Sequence, residues 1–148
     1  MTFEIRSVVT THDAHGKARV MVDAPADNST SRRSGHQSQL IWTTDVTPSD
    51  LSHHEDMGAR DAGRPPPAGG TIFRVLELQP GVSAEMHRTD TVDYVIMLEG
   101  AIDMEMDDGF EVHLEAGAVM VQRGTYHSWT NRGTVPCRLA AILVDAKR

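Results

Sequence analysis

His87, Thr89 and Asp93 stand at alternate positions of the stretch MHRTDTVDYVIMLEG, Met86 to Gly100. On an extended chain alternate side chains share one side. Val95 and Met97 continue the same parity and read as core, so His87 and Asp93 point inward with them. An inward carboxylate is costly unless a partner or an ion meets it. A second histidine, His127, lies in GAVMVQRGTYHSWTN two positions before Trp129, a residue with an inward bias of its own. Two imidazoles and one carboxylate from two strands form a donor set that holds iron(II), zinc, manganese or nickel. The same groups also make a metal-free pocket in which they hydrogen-bond one another. A third use is acid/base chemistry near neutral pH, with His87 or His127 as the working group and Asp93 orienting it.

The elements that must position these residues are strands. Apolar residues alternate with polar ones between closely spaced turn signals, the pattern of an all-β domain. EIRSVV and KARVMV flank a turn near the N-terminus, and SQLIWTTD is a further strand. TIFRVLEL, DYVIMLEG, AIDMEMDDG, FEVHLEAG, AVMVQRG, YHSWTN and CRLAAILVDA follow in series. In AIDMEMDDG the residues Ile102, Met104 and Met106 form the apolar face. In FEVHLEAG the residues Phe110, Val112 and Leu114 point inward, while Glu111 and His113 point to solvent. Asp108-Gly109 is a hairpin signal. These strands predict a sandwich or a jelly-roll barrel in one domain. Residues 1–45 read as N-terminal strands packed on the barrel or on a partner subunit. Residues 46–70, rich in Pro, Gly, Asp and Ser, read as a surface loop or partly disordered segment that carries His53 and His54 in solvent. Residues 71–148 hold the barrel core.

Composition removes several function classes. A formal net charge of −7 with no basic cluster argues against a nucleic-acid partner. No apolar run is long enough for a membrane helix. The N-terminal residues lack the features of a secretory signal, and the single cysteine, Cys137, suits a reducing cytoplasm, the expected location. Cys137 sits beside an apolar strand and reads as a small buried hydrophobe.

PGVSAEMHRTDTVDYVIMLEG resembles the first motif of the cupin family, in which a Gly precedes His-x-His, a Glu, six residues and a Gly. Gly81, His87, Asp93 and Gly100 fall at the matching places, with six residues between the last two. GAVMVQRGTYHSWTN is similar to the second motif through Gly117, Gly124, His127 and Asn131. The resemblance implies a single-domain jelly-roll β-barrel (a double-stranded β-helix), here with an extra N-terminal hairpin. It also implies a divalent metal at His87, Asp93 and His127. Departures are clear: Thr89 replaces the second histidine, Asp93 the Glu and Gln122 the Pro, and the turn before His127 is about one residue tighter. A threonine hydroxyl is a poor ligand for a divalent ion, so Thr89 is assigned to orienting a bound water or the substrate.

Small cupins similar to this one include dioxygenases, decarboxylases, isomerases and dehydratases. The resemblance therefore implies an enzyme for a small, partly apolar organic molecule. Metal-free acid/base chemistry and a non-catalytic ligand-binding module are the alternatives. Met97, Met104, Met106, Met120 and Trp129 supply apolar bulk around the site. Tyr126 and Arg123 flank the turn before His127, and Arg123 offers a clamp for a carboxylate. Unpaired ladder groups on the N-terminal hairpin lead to the expectation of a homodimer.

Overall fold

The computed structural model describes residues 3–148; Met1 and Thr2, the start of the segment assigned to 1–45, lie outside the described residues. The strands are β1 (Arg6–His12), β2 (Ala18–Pro25), β3 (Ser29–Thr30), β4 (His36–Thr44), β5 (Thr71–Leu78), β6 (Thr91–Glu99), β7 (Ala101–Glu105), β8 (Glu111–Glu115), β9 (Val119–Arg123), β10 (Ser128–Thr130) and β11 (Cys137–Asp145). Among the described residues the helical elements are two short 3-10 turns, Met57–Ala59 and Asp107–Gly109. Among the described residues no helix is long and apolar enough to cross a membrane.

The strands form a six-stranded sheet in the order β3-β4-β5-β11-β6-β9, a three-stranded sheet β10-β7-β8, and the separate hairpin β1-β2. The core lies between the two larger sheets. Leu78, Val95, Met97, Cys137 and Leu139 come from the first, and Ile102 and Leu114 from the second. This is the double-stranded β-helix arrangement.

Strand β6 shows why the period-two pattern is decisive. Thr91, Asp93, Val95 and Met97 are buried, while Tyr94, Ile96 and Leu98 face out. Its register places Asp93 opposite Leu143 of β11 on one side and Gln122 of β9 on the other. Gly100, just after β6, has φ +68°, and a Cβ there would meet the Pro136 carbonyl oxygen at 2.6 Å. Only glycine fits that turn. Cys137 is fully buried, and burial pushes its thiol up to about 11, which makes it inert packing.

One expectation needs correction. Met106 follows β7 rather than belonging to it, and Phe110 is 70% exposed instead of inward. The reason is local: Asp108 and Gly109 adopt positive φ, so the alternation stops before Phe110. The 46–70 segment is a largely exposed loop with defined anchors. Met57 is buried, Asp56 caps the 3-10 turn, and Asn28 Nδ2 donates to the carbonyls of Gly58 and Arg60. Arg60 pairs with both Asp45 and Glu55. Strand β4 joins the main sheet, pairing with β5 from His36↔Leu78 to Thr44↔Thr71.

Candidate active site

The site begins with a ribbon of irregular strand. The chain from Gly81 runs antiparallel to the chain ending at Asn131, through Gly81 N–H to Asn131 O and Ala84 N–H to Trp129 O, both 2.8 Å. The ribbon closes on a doubly bonded pair. His87 N–H donates to His127 O at 3.0 Å, and His127 N–H to His87 O at 2.9 Å. Directly opposed residues in such a pair carry their side chains on one face. The two imidazole rings accordingly sit with centroids 4.4 Å apart, tilted by 56°.

Backbone carbonyls set both tautomers. His87 Nδ1 donates to Glu85 O and His127 Nδ1 to Thr125 O, each at 2.8 Å. A carbonyl only accepts, so in each neutral ring Nδ1 holds the proton and Nε2 the lone pair. Beyond this the two histidines differ. His127 is 4% exposed, and its Nε2 accepts from the Gln122 side-chain amide at 3.2 Å. His87 is half-buried and lines the cavity.

Asp93 finds its partners within the protein. Thr91 Oγ1 donates to Oδ1 at 2.6 Å, and Gln122 Nε2 donates to Oδ2 at 3.0 Å. With its proton committed to Asp93, Thr91 accepts from Thr89 at 2.8 Å. A chain of hydrogen bonds thus runs Thr89, Thr91, Asp93, Gln122, His127. Gln122 is its hub. Sequence reasoning noted Gln122 only as a departure from a motif. The signal that could have found it was a polar residue at the same inward parity as Met120, on a strand near an aspartate in need of a donor.

The donor set tests the metal expectation. His87 offers an Nε2 suited to a divalent ion while its Nδ1 is held. The single Nε2 lone pair of His127 is instead taken by the Gln122 amide, which also donates to Asp93, so an ion bridging these groups would first have to displace that amide. Among the described residues no three His, Cys, Asp or Glu side chains converge as a ligand set. As they stand, His87, Asp93 and His127 do not fit a three-ligand metal centre.

The cavity over this chain measures about 140 Å³, close to the room one benzene ring fills. His87, Thr89, Asp93, Gln122 and His127 form its polar end. Trp129 lines it with Leu76, Val95 and Leu139. The other expected pocket residues lie elsewhere. Met97 and Met104 are buried in the core, Met120 packs against it, and Met106 sits in the turn after β7. Tyr126 is outside, with the Arg88 guanidinium 4.7 Å above its ring, and Arg123 is exposed at the end of β9. The cationic wall is built instead by Arg32, Arg33, Arg64 and Arg74, with His36 beside them. Sequence reading gave none of them a role.

Burial holds the His127 imidazole below its ordinary range, and burial with Arg33 and Arg32 does the same to His36. Both bind protons more tightly in the unfolded chain, so folding stability falls as pH drops below the unfolded value of about 6.5. His113 works oppositely: its hydrogen bond to Asp103 raises it, so its contribution is full below the unfolded value and lost as pH rises through the folded one. An NMR titration of the imidazole protons is expected to place His36 and His127 below about 6.5 and His113 above it. A His127 midpoint at or above that value would refute the buried neutral ring.

Two facing antiparallel sheets, with both motif ends meeting at one cavity, define a double-stranded β-helix protein. Residues 74–144 match the Cupin domain family. The chain is 33% identical over 147 residues to the Phomopsin biosynthesis cluster protein C' of Diaporthe leptostromiformis, covering 94% of this chain and 77% of that protein. It is 36% identical over 115 residues to the cupin-domain-containing oxidoreductase srdD of Neurospora crassa; the match covers 74% of this chain and only 59% of that protein. A solved protein with a double-stranded β-helix domain from Klebsiella pneumoniae superposes with a TM-score of 0.57 at 14% identity, covering 81% of this chain and 85% of its own. The chain belongs to the cupin family.

Proposed function

We propose that this cupin is an enzyme that moves a proton on a small organic molecule, with His87 as the base. One observation carries the reading: the His87 ring, its Nδ1 pinned to the Glu85 carbonyl, lines a ring-sized cavity with its Nε2 free of hydrogen bonds among the described residues. The names of the relatives, an oxidoreductase and a biosynthesis-cluster protein, are consistent with small-molecule chemistry. In the proposed step His87 Nε2 takes a proton from a carbon beside a carbonyl. The C–H electron pair becomes the double bond of an enolate. The imidazolium then returns the proton, either to another carbon as a double-bond shift or to a departing hydroxyl as loss of water. Thr89 orients the substrate oxygen. Gln122, braced by Asp93, holds His127 neutral beside His87, which avoids a second positive charge during the transfer.

A second reading rests on the matched tautomers: iron, manganese, zinc or nickel held by His87 and His127, joined by Asp93 once the Gln122 amide has left. Such an ion would act as a Lewis acid on the substrate oxygen. Elemental analysis after chelator-free purification separates the two. Substoichiometric metal in the wild type, with uptake of added zinc improved by Gln122→Ala, is the expected result. Stoichiometric metal that is lost on His87→Ala would overturn the metal-free reading.

A further inference from the structure

The cationic wall is assembled from three segments far apart in sequence. Arg32 and Arg33 come from the turn into β4 and His36 from its first position, Arg64 from the 46–70 loop, and Arg74 from β5. The chain as a whole is acidic, at −7, so four arginines at one cavity invert the local field. They are also unspent. Arg6, Arg19, Arg60, Arg132, Arg138 and Arg148 all pair with carboxylates, whereas Arg32, Arg33, Arg64 and Arg74 have no such pair among the described residues.

Arg74 is the inner member. Its Nη2 donates to the carbonyls of Gly63 at 2.9 Å and Arg64 at 3.3 Å, while its Nε is buried with no partner. His36 Nδ1, on the same wall, is likewise buried and unpartnered. Burial, then Arg32 and Arg64, pulls the Arg74 guanidinium down to about 10, with Asp93 opposing, so it stays charged. The cavity lining holds two carboxylates, Asp93 and Glu85, against four arginines, and among the described residues neither forms an ion pair with the wall, Asp93 being hydrogen-bonded by Thr91 and Gln122. A buried, unpartnered cation donor beside apolar walls is complementary to an anion with an apolar body.

We propose that the cavity takes a small organic carboxylate with a ring-sized apolar body, its carboxylate at Arg74 beneath Arg32, Arg33 and Arg64. This names the substrate class of the proton-transfer site and rests on that reading only for the orientation of the reacting carbon toward His87. The apolar lining by Trp129, Leu76 and Leu139 selects a carboxylate carried on a ring over a bare inorganic anion.

Calorimetric titration with benzoate, its neutral isostere benzamide and inorganic phosphate tests the assignment. Benzoate is expected to bind about tenfold or more tighter than either, the scale of one charge-assisted hydrogen bond. Arg74→Gln is expected to abolish that preference. Because Arg74 also ties down the 46–70 loop, the exposed pair Arg32→Gln/Arg64→Gln carries the test if that variant does not fold. The pair is expected to weaken benzoate about threefold to tenfold and flatten its salt dependence, with an unchanged melting temperature. Equal binding of benzoate and benzamide, phosphate binding as tight as benzoate, or full benzoate affinity in the double variant overturns the proposal. Deuterium uptake from D2O into phenylpyruvate and neutral phenylacetone keeps the two readings apart. Catalysed exchange in both compounds at equal efficiency sinks the anion site and spares the base; benzoate binding with no exchange in either does the reverse.

Discussion

Replacing His87 by alanine is expected to cut catalysed deuterium exchange about 10²- to 10⁴-fold, the usual contribution of a positioned general base, while the melting temperature hardly moves. The reasoning is geometric. The two bonds that join residue 87 to His127 are backbone bonds and survive the substitution. Among the described residues the one side-chain hydrogen bond lost is Nδ1–H to Glu85 O, in a half-buried position. His127→Ala is expected to behave differently. That ring is buried, and its loss leaves the Gln122 amide short of an acceptor, so stability and rate fall together. Exchange rates by NMR, paired with thermal melts, read both quantities. A His87→Ala protein that keeps the wild-type rate removes His87 as the base, and one that fails to fold contradicts its placement at the cavity edge.

The largest stability effect belongs to Asn131. Its side chain is completely buried and makes three bonds to backbone: Nδ2 donates to Leu78 O at 2.9 Å and Val135 O at 3.0 Å, and Oδ1 accepts from Gly133 N–H at 2.9 Å. Alanine there would strand three backbone groups at about 1–3 kcal/mol each, some eased by water or local shift, so the expected loss is about 4 kcal/mol. That is a large part of a typical domain's total. Urea unfolding is expected to show a lower midpoint with an unchanged slope. A loss under about 1 kcal/mol, no more than one ordinary hydrogen bond, would show that Asn131 does not hold this corner. The same side chain ties the end of β5 to the turn after the His127 ribbon. Loosening it is therefore expected to lower the exchange rate as well.

Much of this arrangement could be read from the chain alone because the relevant signals are local. Period-two alternation in TIFRVLEL and CRLAAILVDA marks β5 and β11, and the parity of Asp93 with Val95 and Met97 turns its carboxylate inward whatever the neighbouring strand is. Alternation failed only where backbone geometry interrupts it, at Asp108-Gly109, and Phe110 was lost with it. The polar composition of residues 46–70 read as a surface loop or partly disordered segment, and its anchors were invisible because those such as Asn28 to Gly58 and Arg60 join residues some thirty positions apart.

What only the tertiary structure decided is who meets whom. The register of β9 on β6 sets Gln122 opposite Asp93, and the closing ribbon sets His87 against His127. Strand identity is written in neighbours two residues apart, whereas register is the outcome of the whole core settling at once. The arginine wall follows the same logic. Arg32, Arg64 and Arg74 carry no pattern that links them, and they share a cavity only because β4 lies beside β5 and the loop between them is tied to Arg74 at Gly63. The sequence alone determined a strand-built cupin scaffold with inward histidines and an aspartate; folding decided that a glutamine stands between them and that the cavity is lined with positive charge.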